Sequence, residues 1–322
     1  IAIRRGPMRT PTSGTSVFSP NAFNAVANTY QTTGFPIDWQ ITADRNNVAD
    51  KRTYSRLTGV SSPGVSSGTY MSTNTTDAEA AGGSLTNGWD NTGFRVPSSY
   101  ASTPFVGWNF GRAPGFFDEV CYTGTGTDNT QITHNLGVAP ELIITKKRSS
   151  TGDWWTLCTA DATRRLGRLN LTNALSNSGI AGAFGNGTSY VAPTASVFTL
   201  GSGSTSTNTS GATYAAYLFA SCPGVSKVGS YTGTGTTQTI SCGFTGGARF
   251  VLIKRTDSTG DWYVWDTARG MVAGTDPSLL LNSTAAEVNA NSVYTTTGGF
   301  QIVSTAAGIN ASGGTYLFFA VA

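Results

Sequence analysis

The sequence predicts an all-β protein made of three tandem copies of one β-sandwich or jelly-roll-like domain. Only 11% of the 322 residues are charged, compared with about 25% in an average globular domain. Glycine, serine, threonine and asparagine occur in every segment and aromatic residues make up 11%, which favours pleated sheets joined by tight polar turns. The third observation is repetition, because blocks of sequence recur 102 to 109 residues apart.

Three blocks recur in the same order and define the second and third copies. The pairs are residues 122–126 and 231–235 (Tyr-Thr-Gly-Thr-Gly), residues 150–154 and 258–262 (Ser-Thr-Gly-Asp-Trp), and the closing segments 208–219 and 310–321. We therefore place the second copy at residues 116–223 and the third at residues 224–322.

The first copy, residues 1–115, is recognised only against the other two. Two pairs align: Asp38-Trp39 with Asp261-Trp262, and Asn74 with Asn282. The opening Tyr-Thr-Gly strand has no counterpart here, and residues 6–36 match nothing in the other copies. We therefore predict a first copy that is truncated at its N-terminus and carries an insertion at about residues 6–36. The first residue is Ile1 rather than methionine, so we also expect a processed chain or a fragment.

Short apolar runs bounded by turn residues predict seven or eight strands in each copy. Residues 142–144 and 251–253 are rich in Ile, Leu and Val, and residues 262–266 alternate between two faces. Residues 214–219 are apolar throughout, as expected of a strand covered on both faces. The Thr-Gly-Thr-Gly segments lack the lysine of a phosphate-binding loop, so we assign their glycines to turns.

The acidic residues are the strongest candidates for chemistry, because polysaccharide-cleaving enzymes use a pair of carboxylates. One acid precedes a tryptophan in each copy and a second acid follows it: Asp38 and Asp44, Asp153 and Asp161, Asp261 and Asp266. Repetition in every copy favours a structural role, as a turn cap or as a partner of the next arginine (Asp44 with Arg45, Asp266 with Arg269). The single histidine, His134, lies beside a predicted turn. We predict no enzymatic activity, and a polysaccharide depolymerase is the alternative.

The other residue types predict neither a metal nor a cofactor. The four cysteines show no paired spacing and no histidine nearby, so buried free thiols are favoured over a Cys121–Cys222 disulfide. The basic residues are too sparse for a nucleic-acid interface. No apolar run approaches the roughly 20 residues needed to cross a membrane, so we predict no membrane insertion.

Five aromatic residues are candidates for contact with a glycan or receptor. Trp155 and Trp265 are not repeated as tryptophan in the other copies, so they are candidates for exposed rings, although packing is the favoured interpretation. Phe18, Phe23 and Tyr30 lie in the predicted insertion, which is the segment most specific to this chain.

The order of the blocks resembles a known group of proteins. It runs Tyr-Thr-Gly-x-Gly, an apolar strand ending in Lys or Arg, Ser-Thr-Gly-Asp-Trp, Trp-Asp-x-x-Arg-Gly, Leu-Asn-x-Thr-Ala-Ala-Glu, and Asn-x-Ser-Gly-x-Thr-Tyr. This order is similar to the tandem domains of virion and tail proteins of tailed bacteriophages. The second copy departs from it at residues 163–167, where Thr-Arg-Arg-Leu-Gly replaces the Arg-Gly motif.

The resemblance implies a structural virion protein of a tail fibre, tail tip or baseplate that takes part in host attachment. It further implies assembly in the host cytoplasm, a place on the virion exposed outside the cell, a homo-oligomer (a trimer is favoured) and other virion proteins as partners. A host surface glycan or receptor is a further expected partner. The alternatives are a lectin-like glycan-binding module, and a head decoration or fibre protein. The resemblance supplies no catalytic residues.

Overall fold

The computed structural model describes residues 8–24, 26, 29–59, 68–82, 88–96, 103–160, 163–203 and 207–322. Asp161 and the first seven residues lie outside the described part. Almost all regular structure is antiparallel β, which confirms the all-β prediction. The helical elements described are a 3₁₀ turn and two four-residue helices: Gly14–Ser16, α1 (Ile180–Ala183) and α2 (Ala307–Asn310).

Within the described ranges, twenty-four strands form three large sheets and three small ones. The first part of the chain contributes β1 (Phe18–Asn24), β2 (Tyr30–Thr32), β3 (Trp39–Asp44), β4 (Arg52–Ser55), β5 (Thr69–Ser72), β6 (Ala80–Ala81), β7 (Gly93–Arg95) and β8 (Pro104–Phe110). The middle part contributes β9 (Phe117–Thr123), β10 (Thr130–Thr133), β11 (Leu142–Lys147), β12 (Trp154–Cys158), β13 (Arg165–Arg168), β14 (Val197–Leu200) and β15 (Thr213–Phe219). The last part contributes β16 (Ser226–Thr232), β17 (Gln238–Ser241), β18 (Phe250–Arg255), β19 (Trp262–Asp266), β20 (Asp276–Leu280), β21 (Val288–Ala290), β22 (Val293–Thr296), β23 (Gly299–Ile302) and β24 (Thr315–Val321).

The three large sheets share one strand order. The first sheet runs β1-β8-β3-β4-β5-β6, the second β9-β15-β11-β12-β13, and the third β16-β24-β18-β19-β20-β21. The pairing register is also the same. The first residue of each outer strand faces the last residue of its neighbour: Phe18 with Phe110, Phe117 with Phe219, and Ser226 with Val321.

This register corrects the sequence alignment of the first part of the chain. Strand β1 pairs with β8 in the same way as β9 pairs with β15. Strand β1 therefore takes the place of the opening strand, although its residues were assigned to the predicted insertion at about residues 6–36. Trp39 is the first residue of β3 and pairs with Phe110 of β8. Leu142 and Phe250 hold the equivalent position in the second and third sheets, and Trp154 does not. The predicted absence of the opening strand is therefore wrong.

The inner faces of the three large sheets pack on one common core. This buried cluster draws its residues from all three sheets, and aromatic rings connect each pair of sheets. Trp39 stacks on Tyr217 at 4.4 Å, the Phe219 and Phe319 centroids are 4.9 Å apart, and Phe18 meets Phe250 at 5.2 Å. Because apolar burial is the main favourable term in folding, the shared core holds the sheets as one body.

Backbone hydrogen bonds close the three sheets into a ring. At the first–second junction the Gly152 amide donates to Thr76 O, and at the second–third junction the Gly260 amide donates to Thr172 O. At the third–first junction the Ala49 amide donates to Thr284 O at 2.9 Å, across more than 230 residues of sequence. Each sheet therefore contacts both of the others.

A small sheet and a separate apolar cluster cover the outer face of each large sheet. The small sheets are β2-β7, β10-β14 and β17-β23-β22. In the second part, for example, Leu157 and Phe198 belong to a cluster distinct from the shared core. Alternate residues of each large sheet thus enter two different cores, as the period of two in a strand requires.

Candidate functional site

Four of the five predicted contact residues are buried. Phe18, Phe23, Trp155 and Trp265 are 0%, 7%, 8% and 1% exposed, so they pack within the protein and present no ring face to a ligand. Phe18 lies in the shared core, and the others lie in the outer clusters. Tyr30 is the exception, with 36% of its surface exposed.

The repeated Asp-Trp motif is a turn that fixes the strand after it. Asn282 accepts a hydrogen bond from the Trp262 amide at 2.8 Å and donates to Asp261 at 2.7 Å. The same three-residue arrangement joins Asp153, Trp154 and Asn170, and it joins Asp50, Lys51 and Asn74. The acid that corresponds in the first sheet is therefore Asp50, whereas Asp38 accepts from the Arg112 amide at 2.7 Å.

Replacement of the asparagine in this turn tests its structural role. We expect Asn282→Ala to lower the free energy of unfolding by about 1–3 kcal/mol, because it removes two hydrogen bonds beside a buried strand. Urea unfolding monitored by fluorescence measures the change. Asn177→Ala, at an exposed position, serves as the control and is expected to stay within about 0.5 kcal/mol of the unmodified chain; an equal loss in both variants would contradict the role.

A buried lysine ammonium binds backbone carbonyl groups at each junction. Lys146 donates to Thr76 O at 3.2 Å, Lys254 donates to Thr172 O at 3.0 Å, and Lys51 donates to Ala285 O at 2.9 Å. All three lysines are 0% exposed. Burial lowers the pKa of each ammonium to about 8, because desolvation penalises the charged form.

These lysines predict a rise of stability with pH. Between pH about 8 and 10.5 the folded chain binds fewer protons at Lys254 than the unfolded chain does, so the free energy of unfolding rises with pH through that window. We expect Lys254→Met to remove about 2 kcal/mol of this rise between pH 8 and pH 10. Urea titrations at both pH values measure it, with the partly exposed Lys227→Met as the control. Identical slopes in the unmodified chain and Lys254→Met would contradict the prediction.

An ion-pair network lies at the third–first junction. Asp266 accepts from Arg269 Nε at 2.6 Å with both side chains fully buried, which confirms the predicted pairing. Trp108 Nε1, from the first sheet, donates to the same carboxylate at 2.8 Å. The predicted Asp44–Arg45 pairing is wrong, because Arg45 forms a two-bond ion pair with Glu287. Asp44 instead accepts from two amides of the following turn.

The first–second junction holds a buried acid to which no cation is bonded in the described part of the chain. Glu119 is 0% exposed and accepts from Ser55 Oγ at 2.5 Å, while its Oε2 has no hydrogen-bond partner among the described residues. Burial raises the pKa of Glu119 to about 8, and the charges of Asp38 and Asp118 add to the shift. Glu119 faces Tyr217 across β9 and β15, so its carboxyl group lies on the inner face of the second sheet.

His134 and the cysteines carry no exposed reactive group that the geometry assembles into a site. His134 is 4% exposed and its Nδ1 accepts from the Leu136 amide at 3.3 Å, while burial lowers its pKa. None of the four cysteines, all of which lie in the described ranges, forms a disulfide. Cys158, Cys222 and Cys242 are buried as predicted, but Cys121 is exposed, so the prediction of a buried thiol is wrong there. Partial desolvation still raises the pKa of Cys121 to about 11. The described residues contain no cluster of three or more side chains suited to hold a metal ion.

One exposed polar feature of defined geometry lies on the small sheet β2-β7, on the outside of the first large sheet. Tyr30 and Arg95 face each other in register across its two strands. The Tyr30 hydroxyl donates to Asp90 Oδ1 at 2.5 Å and lies 2.8 Å from Thr92 Oγ1. We call Tyr30, Asp90, Thr92 and Arg95 the Tyr30 surface.

The family model of a domain of unknown function, DUF7483, matches residues 18–322 of the chain. The chain belongs to the DUF7483 family. The match begins at the first residue of β1 and spans all three large sheets, so the DUF7483 domain includes the whole ring. No curated protein and no solved structure matched the chain. No helix in the described ranges is long and apolar enough to cross a membrane.

Proposed function

We propose that this DUF7483 chain is a structural component of a tailed-bacteriophage virion, placed at a tail fibre, tail tip or baseplate and active in host attachment. The observation that carries the proposal is the ring of three register-matched sheets within one chain. A ring held by a shared core and three bonded junctions is a rigid support for exposed outer loops. The order of sequence blocks, which resembles that of phage tail proteins, supports the same assignment.

We also propose that the three sheets are copies of one domain. The matched strand order, the matched register and the repeated Asp–Asn turn support duplication over chance similarity. Each copy places a large sheet against a small one, in the manner of a β-sandwich. Association into a homotrimer remains a further proposal. The ring closes inside one chain, so a trimer is not needed to complete the shared core.

The carboxylates offered as catalytic candidates support a structural role. Asp153 accepts from Asn170 and pairs with Arg168, and Asp261 accepts from Asn282. Both acids are thus engaged in the turn that fixes the next strand. We propose that the chain has a binding and supporting role in attachment and that it does not hydrolyse a substrate.

Electron microscopy of purified phage particles tests the placement. Gold-labelled antibodies raised against the full chain are expected to label the tail end of intact particles. Labelling of the head would overturn the tail assignment in favour of a decoration protein. Label found only in the unassembled lysate fraction would overturn the virion assignment altogether.

A further inference from the structure

The Tyr30 surface presents three different kinds of binding group side by side. Tyr30, Asp90, Thr92 and Arg95 are all exposed, and the hydroxyl of Tyr30 is held by two hydrogen bonds. A ring fixed in this way loses little conformational entropy when a ligand stacks on it. The ring is therefore preorganised for contact with an apolar ligand face.

The Asp90 carboxylate is held through one of its two oxygens. Its Oδ1 accepts from Tyr30 Oη, from the amide and hydroxyl of Thr92 and from the Gly93 amide, at 2.5–3.1 Å. Its Oδ2 has no partner among the described residues. Burial acts to raise the pKa of Asp90, but the hydrogen bonds from Tyr30, Thr92 and Gly93 outweigh it and lower the pKa. The group is thus a charged acceptor of fixed orientation.

Arg95 adds a donor over one face of the Tyr30 ring, which leaves the other ring face for a ligand. Its guanidinium carbon lies 6.0 Å from the centroid of the Tyr30 ring, and it forms no ion pair within the described part of the chain. A guanidinium presents several N–H donors in a planar fork. The surface therefore combines an aromatic ring, a charged acceptor at its hydroxyl and a charged donor over one of its faces.

We propose that the Tyr30 surface binds a neutral sugar unit of a host surface polysaccharide. The ring stacks on the C–H face of a pyranose, Asp90 Oδ2 accepts from a sugar hydroxyl, and Arg95 donates to a hydroxyl or ring oxygen. A neutral sugar fits better than an acidic one, because the fixed charge of Asp90 repels a sugar carboxylate. This inference rests on the proposed role in attachment and names the ligand class for it.

A similar pair in the second part of the chain provides a matched control. Arg164 lies over the Tyr190 ring, 4.6 Å from its centroid, and Tyr190 is half-buried. No carboxylate is hydrogen-bonded to this tyrosine in the described residues. The Tyr190 pair thus has the ring and the guanidinium but lacks the oriented acceptor.

Saturation-transfer NMR on the full chain tests the proposal, with the methyl α-pyranosides of glucose, galactose and mannose as probes and glucuronic acid as the acidic comparison. At least one neutral glycoside is expected to receive saturation. Tyr30→Ala should abolish the transfer, Asp90→Asn should weaken binding about tenfold, and Tyr190→Ala should leave it unchanged. Tyr30→Phe retains the ring and is expected to keep part of the signal. Circular dichroism of each variant confirms that it is folded.

Three results would overturn the inference: no transfer to any neutral glycoside, transfer that persists in Tyr30→Ala, or stronger transfer to glucuronic acid. Failure here is distinguishable from failure of the attachment role. Sugar binding by a chain that never labels particles would remove the virion assignment and leave the binding site. Particle labelling without sugar binding would remove the binding site alone.

Discussion

Glu119→Gln is expected to raise the free energy of unfolding, compared with that of the unmodified chain, by about 4 kcal/mol more at pH 8 than at pH 4.5. The carboxyl group is fully buried between the first and second sheets, and its only hydrogen bond in the described structure is from Ser55. Burial raises its pKa from an ordinary value of 4.5 to about 8. Glutamine fills nearly the same space, keeps a partner for Ser55 and carries no charge.

The direction follows from the protons bound in each state. Between pH 4.5 and about 8 the folded chain holds a proton on Glu119 that the unfolded chain has lost, so the free energy of unfolding falls as pH rises. The glutamine variant lacks this fall. Burial also raises the pKa of Asp38 and Asp276, so the difference between variant and unmodified chain isolates the Glu119 contribution.

Urea unfolding at four pH values from 4.5 to 8 measures that difference. Asp77→Asn is the control, because Asp77 is exposed beside the same junction, and its profile is expected to follow that of the unmodified chain. A constant difference between Glu119→Gln and the unmodified chain across this range would show that Glu119 does not titrate as a buried acid.

Arg269→Met is expected to lower the free energy of unfolding by about 3–5 kcal/mol, because it leaves the buried Asp266 without its cation and leaves Glu287 with Arg45 alone at the third–first junction. Arg269 bonds to Asp266 and Glu287, and all three side chains are buried. Its guanidinium also donates to the Val264 carbonyl at 3.0 Å. Calorimetry at pH 7 measures the loss.

The pair Arg255–Asp257, whose side chains are 17% and 37% exposed, provides the control for this variant. Arg255 Nε lies 2.9 Å from Asp257, whose side chain is 37% exposed, so Arg255→Met is expected to cost at most about 1 kcal/mol. The double variant Arg269→Met with Asp266→Leu should recover part of the loss, since it removes the stranded charge along with its partner. Equal losses at the two arginines would contradict a special role for the buried network.

The fold class and the similarity of the second and third parts were predictable from the sequence, because their motifs lie in turns. Gly126 and Gly235 occupy left-handed conformations, with φ of 71° and 69°, where glycine is favoured. The asparagine turns depend on side chains that few residues replace. Such positions keep the same residue types in the second and third parts, so the two parts can be aligned from sequence.

The first part was misaligned because one buried position changed its chemistry. The strand position of Trp154 and Trp262 is held by Lys51, and each of the three side chains donates a hydrogen bond to a carbonyl of the preceding sheet in the ring. A tryptophan N–H and a lysine ammonium thus satisfy the same acceptor role, although no similarity of residue type connects them. The alignment could have been corrected from Asp50-Lys51 and the later Asn74, because the other two parts have the same order of an aspartate, the next residue and a later asparagine.

Sequence alone could not tell which of the candidate contact residues are exposed and which are buried. Trp155 and Trp265 are aromatic residues that do not recur as tryptophan, but the outer clusters bury them beneath the small sheets. Because the strands of those sheets pair over long sequence distances, this burial does not follow from any local pattern. Tyr30 is exposed because β2 is a three-residue strand at the outside of the first sheet. Its partners Asp90 and Thr92 lie about 60 residues away, a distance that no local pattern bridges.

Closure of the ring is tested most directly by a distance across the third–first junction. Val48 and Val288 are 77% and 59% exposed, and they flank the backbone bonds that join Ala49 to Thr284 and Glu287 to Arg45. Spin labels at cysteines placed there, with Cys121 changed to serine, are expected to give a narrow distance distribution near or below about 2 nm. Three sandwich domains strung in a row would separate the labels by about 5 nm or more, and that result would contradict the closed ring.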